Sequence, residues 1–402
     1  MQTKNLLYPT LLLTLIASAN STQAQIANSY PGDVGIENDP NVLYVEKFDD
    51  GLTNIFSRFT DTRNTAGMSL STDIPAGGSG PNSIKISSLG GTNTGGHLFK
   101  SFPSGGFDST FYIRYYVKYP SSSKGYIHHE CIEIGGDLPI NPWPVGNAGT
   151  CGMGTTRLSA EYQLVGADTL MDAYVYWGDM HSWNGGSSCY GNVFVNHSPA
   201  QQYLKYDKWI CIEIMIKLNN PVTAYNGEMR IWQDGVQAGY WGPGFPNGHW
   251  LTDKWYNVPT DPPFQGFRWR QDANLKITWI WINHYDDTSP NGVTHYTLFD
   301  NMVLANKYIG PLKTAAGISE NQEASLAADI YPNPATEELT LFLPNSTSPK
   351  EVNIYNTLGK KVVAFDTSEE KTDLNISKLA SGVYMFEVRD GNKISRQKFI
   401  KQ

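Results

Sequence analysis

Two adjacent histidines, His128 and His129, stand beside a carboxylate, Glu130. Further along come Tyr174 and Tyr176, and later the pair His284 and Tyr285. Imidazole and phenol groups are the types that proton transfer needs, serving as general base and general acid. Arg157 and Glu161 precede the tyrosines, and Arg114 and Lys118 lie upstream of the histidines. Cationic side chains hold and neutralise carboxylates. The inventory fits β-elimination on an acidic sugar polymer. In that reaction a substrate carboxylate is neutralised, a base removes the C5 proton, and an acid protonates the departing oxygen. His128, His129, Tyr176, His284 and Tyr285 are therefore the candidate proton-transfer residues. Arg114, Lys118, Arg157, Tyr174 and Glu161 are the candidate substrate contacts.

Hydrolysis asks for different parts. A retaining glycosidase needs two carboxylates about 5 Å apart. The nearest pair is in Glu130-Cys131-Ile132-Glu133, whose spacing of three puts the two on opposite faces of a regular strand. Glu161 shares its strand face with Ser159 and Gln163. Hydrolysis is thus the second reading. A non-catalytic carbohydrate-binding or adhesion protein is the third, because 11 Trp and 23 Tyr offer many surfaces for sugar stacking. His97, His197, His249 and His295 read as structural residues.

The elements that must position these groups are strands. Phe111 to Tyr119 alternates, with Arg114, Tyr116 and Lys118 on one face and Ile113, Tyr115 and Val117 on the other. Trp209 to Leu218 puts Ile210, Ile212, Ile214 and Ile216 toward a core, with Glu213 and Lys217 on the other face. Further runs cover Tyr126 to Ile134, Arg157 to Leu164, Ala173 to Gly178, Glu228 to Trp232, Lys276 to Tyr285 and His295 to Leu304. No amphipathic stretch longer than two helical turns interrupts them. The composition agrees: 402 residues with 38 Gly, 23 Pro, 12% aromatic and only 17% charged. That disfavours a helical bundle and disorder. A net charge of −8 argues against a nucleic-acid partner. The expected architecture is all-β, a two-sheet jelly-roll β-sandwich over residues 26–313.

Residues 1–25 read as a secretory signal peptide, with Lys4 before the short apolar run Leu11 to Ala17 and small residues near Ala24. Export suits the four cysteines, Cys131, Cys151, Cys189 and Cys211. The first expectation is neighbour pairing, Cys131 with Cys151 and Cys189 with Cys211. Residues 314–328 read as a polar linker, and residues 329–402 as a separate small β-sandwich. The protein is expected to act as a monomer on a polysaccharide.

Residues 329–402 resemble the C-terminal sorting domain of the type IX secretion system of Bacteroidetes. The resemblance rests on Tyr331-Pro332-Asn333-Pro334, Asn356-Thr357-Leu358-Gly359-Lys360, Leu379-Ala380-Ser381-Gly382-Val383-Tyr384 and the terminal Lys398-Phe399-Ile400-Lys401. It implies the secretion machinery as a partner, then release or surface attachment. In the central region, Asn226-Gly227-Glu228, Trp232-Gln233-Asp234-Gly235 and Phe299-Asp300-Asn301-Met302 with Tyr308-Ile309-Gly310-Pro311 are similar to secreted concanavalin A-like jelly-roll proteins. That superfamily includes family 16 glycoside hydrolases and polysaccharide lyases. The Tyr-Phe-Lys-Ala-Gly-x-Tyr motif of jelly-roll alginate lyases is missing. The resemblance also implies a structural Ca²⁺ held by a carboxylate from the first strand and one from the last, which here are Glu46 and Asp300.

Overall fold

The computed structural model describes residues 25–146, 148–164, 170–195, 203–314, 328–343, 348–357, 359–390 and 393–402. Residues 1–24 of the expected signal segment, nearly all of the linker, His197 and Leu358 lie outside the described residues. The chain divides into two compact units, one up to Ala315 and one from Ala316 to Gln402.

The first unit is a jelly-roll sandwich of two sheets. One sheet is centred on the strands Trp209–Lys217, Thr110–Lys118 and Thr294–Ala305. The other runs, at its centre, Asn192–Val195, Met171–Tyr176, Arg157–Leu164, His129–Asp137, Trp279–Tyr285 and Gly95–Ser101. The two-residue period decides what lies between them. Ile113, Tyr115 and Val117 meet Ile210, Ile212 and Ile214 in the first sheet. Ile132, Ile134, Leu158, Ala160, Val175, Ile280 and Ile282 face them from the second. All are at most 1% exposed. The only α-helix among the described residues, Leu52–Arg58, is seven residues long.

Arg114 and Lys118 on the first sheet were expected to contact a substrate, and there the structure differs. Their face is covered by chain. Ile26, Ile36, Tyr308 and Ile309 pack on Tyr112, Met215 and Trp232. Arg114 is fully buried under this cover and donates to Asp33 Oδ2 at 2.5 Å. Glu213 accepts the backbone N–H groups of Ile309 and Gly310 at 2.7 and 2.8 Å. Lys118 pairs with Asp73, and Lys217 with Glu228. Arg114 and Lys118 are therefore on the sheet away from the cleft described below, held by carboxylates of their own.

The cysteine pairing also differs. Cys151 and Cys189 form the disulfide, joining two loops. Cys131 and Cys211 are free and buried. Cys131 shares the parity of His129 and Glu133 and so faces outward from one sheet. Cys211 shares the parity of Glu213 and faces outward from the other. Two layers about 10 Å apart separate them, beyond the reach of a disulfide.

Several carboxyls are buried in this unit. Burial pushes Glu130 and Asp300 up to about 8, and Glu213 up to about 7. Each binds its proton more tightly folded than unfolded. The stability they contribute is fully present below their unfolded values and is lost as pH rises through about 7 to 8. The midpoint of urea unfolding is therefore expected to fall between pH 6 and pH 9. Glu130→Gln, which carries no proton to lose, is expected to flatten that slope. An unchanged slope would refute the assignment.

The second unit stacks a three-stranded and a four-stranded sheet. Leu339, Leu341, Val352, Ile354, Phe386, Val388 and Phe399 form its core. Glu387, although buried, is clamped by Arg389 and Arg396, each at 2.7 Å.

Candidate active site

The outer face of the second sheet forms a cleft of about 790 Å³. Its floor follows from strand parity and register. Tyr285 lies opposite His129, Asn283 opposite Cys131, and Trp281 opposite Glu133. On the next strands, Glu161 lies opposite Tyr174 and Ser159 opposite Tyr176. Tyr285, His129, Glu133, Glu161, Arg157, Tyr174 and Tyr176 therefore line one cavity, with His128 at its edge. Eight of the ten proton-transfer and substrate-contact candidates border this cleft, but the side chain of one of them, His284, is fully buried behind its floor.

His129 is tied to Glu161, with Nδ1 3.1 Å from Oε1. The other oxygen of Glu161 accepts the thiol of Cys131 at 2.9 Å. Burial of His129 opposes its charge, but Glu161, with smaller help from Glu133 and Gln163, raises its pKa above 6.5. The bond also sets the tautomer: the carboxylate takes Nδ1–H, which leaves Nε2 as the atom that exchanges a proton.

At the other end of the floor stands Arg157, 4% exposed. It donates to Val145 O at 2.8 Å and approaches Asp137 at 3.4 Å and Glu133 at 3.6 Å. Its Nε is buried with no hydrogen-bond partner, as is Trp281 Nε1. Both residues line the cleft floor, so these are donors that an acceptor there can satisfy. Burial, with Glu161 close by, holds Glu133 up at about 7 although Arg157 pulls the other way.

Tyr174 and Tyr176 stand side by side on this face, with ring centroids 5.8 Å apart. Tyr174 accepts the Gly191 N–H at 2.7 Å. A Cβ on residue 191 would fall 2.1 Å from the Tyr174 ring, so only glycine permits this approach. Burial raises both phenols, while the Tyr174 hydroxyl eases ionisation of Tyr176 by hydrogen-bonding to it. Tyr176 is left with its own O–H to donate. Arg157 sits 5.7 Å from the Tyr176 ring centroid.

Three candidates belong elsewhere. Arg114 and Lys118 are on the other sheet. His284 follows the parity of Ile280 and Ile282, so its ring turns inward and is fully buried. Its Nδ1 lies 3.1 Å from Thr297 Oγ1, and Thr297 donates to Glu130. Burial lowers its pKa to about 4. This is a neutral core cluster rather than a proton-transfer group in the cleft. His128 and Tyr285 are at the rim, with His128 3.1 Å from Asp287. Cys131 and Trp281 were missed as site residues, and Glu133 was weighed only for hydrolysis; the parity of His129 already places Cys131 and Glu133 on its face, whereas Trp281 joins them only through strand pairing.

Of the two carboxylates expected to hold calcium, Glu46 is committed to protein donors. Both oxygens of Glu46 accept from Arg58 at 2.7 Å, and Oε1 also accepts the Phe48 N–H. Asp300 accepts the Asn301 N–H. Among the described residues, no three His, Cys, Asp or Glu side chains gather to hold a metal ion.

Comparison with known proteins separates the two units. Residues 329–402 match the family described as the secretion system C-terminal sorting domain. The second unit is a type IX sorting domain. The protein is thus secreted by that machinery, with outer-membrane attachment or release. No curated protein matches the sequence. Among solved structures, the chain is similar to the alginate lyase vAL-1 from Chlorella virus, at 17% identity and TM-score 0.40, over 67% of this chain and 100% of that one. It is similar to a GH16 protein of the Bacteroides ovatus mixed-linkage glucan locus, at 10% and 0.32, over 66% and 95%. It is also similar to the binding domain of botulinum neurotoxin serotype D, at 10% and 0.33, over 94% and 74%. Function must come from the cleft itself.

Proposed function

We propose that the first unit is a lyase that cleaves a uronate-containing polysaccharide by β-elimination. The observation that carries this is the joining, in one cleft, of the His129–Glu161 dyad, the Tyr174–Tyr176 pair and the unpartnered Nε of Arg157. Arg157, with Glu133 in its protonated form, receives the substrate carboxylate and makes the C5 proton removable. Neutral His129 takes that proton on Nε2, and Glu161 stabilises the imidazolium. The C4–O bond breaks as the C4=C5 bond forms. The leaving oxygen takes the Tyr176 proton, and solvent returns His129 and Tyr176 to their starting states.

Hydrolysis is the second reading, because the fold brings Glu133 and Glu161 into one cleft from different strands. Glu133, held at about 7, has the character of a general acid. Glu161 has less freedom to act as nucleophile, since His129 and Cys131 occupy one oxygen each.

The test is product chemistry. The protein is incubated with alginate, glucuronan, polygalacturonate, ulvan and laminarin. Absorbance near 235 nm and reducing ends are followed together. Elimination predicts that both rise on a uronate polymer. Reducing ends without absorbance would overturn the lyase reading in favour of hydrolysis. Silence in both would leave a binding protein.

A further inference from the structure

The wall of the cleft carries side chains that the elimination does not use. Two loops build it, one through residues 138–146 and 148–156 and one through residues 177–191. Cys151 and Cys189 join them covalently, and Gly149 and Cys189 exchange backbone hydrogen bonds at 2.8 and 3.4 Å. Asn192 fixes the root of the second loop. Its Oδ1 accepts the His181 N–H at 2.8 Å and its Nδ2 donates to His181 O at 2.7 Å. The loops are pinned at both ends.

What they hold up is aromatic. Trp183 is 51% exposed and Tyr190 43%, with ring centroids 6.2 Å apart at 66°. Tyr190 also lines the cleft, so the pair is continuous with the site. Trp143 on the first loop is 56% exposed. An exposed indole adds little to folding, because its apolar surface stays in water. The first loop contains no charged residue. The second contains one acid, Asp179, which is paired with Arg268. The floor is ionic, and its wall is uncharged and aromatic.

We infer that Trp183 and Tyr190 form a stacking subsite for pyranose rings of the polymer beyond the ring being cleaved. The C–H faces of a sugar ring are apolar and match an aromatic surface, whereas its carboxylate is matched by Arg157. A rim held by a disulfide and backbone bonds binds without first paying to order itself. The protein would then recognise a chain of several sugars rather than a single uronate. This rests on the lyase reading for the identity of the polymer but not for the stacking itself.

The experiment uses the full-length secreted protein in affinity electrophoresis through gels containing alginate, polygalacturonate or laminarin. Wild type is compared with Trp183→Ala, Tyr190→Ala and Trp183→Phe, each checked for an unchanged circular dichroism spectrum. Retention by at least one polymer is expected, weakened about three- to tenfold by either alanine variant and largely restored in Trp183→Phe. On that polymer, KM for turnover should rise by the same factor while kcat stays within twofold. Equal retention of wild type and Trp183→Ala would overturn the subsite, as would retention by none of the three polymers. Trp183-dependent retention without any rise at 235 nm would overturn the lyase reading and leave the subsite standing.

Discussion

His129→Ala is expected to slow formation of unsaturated product by about 10²- to 10⁴-fold, with little change in thermal midpoint. The ring is 26% exposed at the cleft, so its loss opens no large cavity in the core. What is lost is the proposed acceptor of the C5 proton and the hydrogen-bond partner of Glu161. The pH profile gives a sharper check. His129 must be neutral to act, and Glu161 raises its pKa above 6.5. Activity should therefore climb with pH through a midpoint above 6.5. It should fall again as Glu133, held at about 7, loses the proton that helps receive the substrate carboxylate, well before Tyr176, whose phenol burial raises, can ionise. Glu161→Gln removes the partner that holds the proton on His129, so the acidic limb should move to lower pH while the rate falls. A limb that stays in place in Glu161→Gln would refute His129 as the base. His284→Ala should behave differently, losing stability because it disrupts the buried Thr297–Glu130 cluster.

Arg114→Met is expected to destabilise the first unit by about 3–5 kcal/mol, measured by urea unfolding. Arg114 and Asp33 are both fully buried, and the substitution strands the Asp33 carboxylate without its cation. The cost should shrink in Arg114→Met combined with Asp33→Asn, because the uncompensated charge is then gone. KM of the folded fraction should stay unchanged, since a full sheet separates Arg114 from the cleft. A raised KM with unchanged stability would return Arg114 to the substrate.

These two residues show how far the chain could be read. The sorting segment was legible because its tokens are contiguous, from Tyr331-Pro332-Asn333-Pro334 to the terminal Lys398-Phe399-Ile400-Lys401. The strands were legible because their alternation is local: Arg157–Leu164 has the same bounds in sequence and in structure. Parity even held an unused signal. His284 shares the parity of Ile280 and Ile282, which already turns it toward the core.

By itself, the sequence determined the two-unit plan, the all-β character and which residues of one strand share a face. Backbone geometry alone dictates that last property, because successive side chains point to opposite sides of a strand. Only the tertiary structure decided which strands become neighbours. It joined His129 to Glu161 across strands, brought Glu133 beside them, and sent Arg114 and Lys118 to the opposite sheet. It also paired Cys151 with Cys189 and left Cys131 under the site. Strand order and loop approach depend on the packing of residues far apart in the chain, and no local period records them.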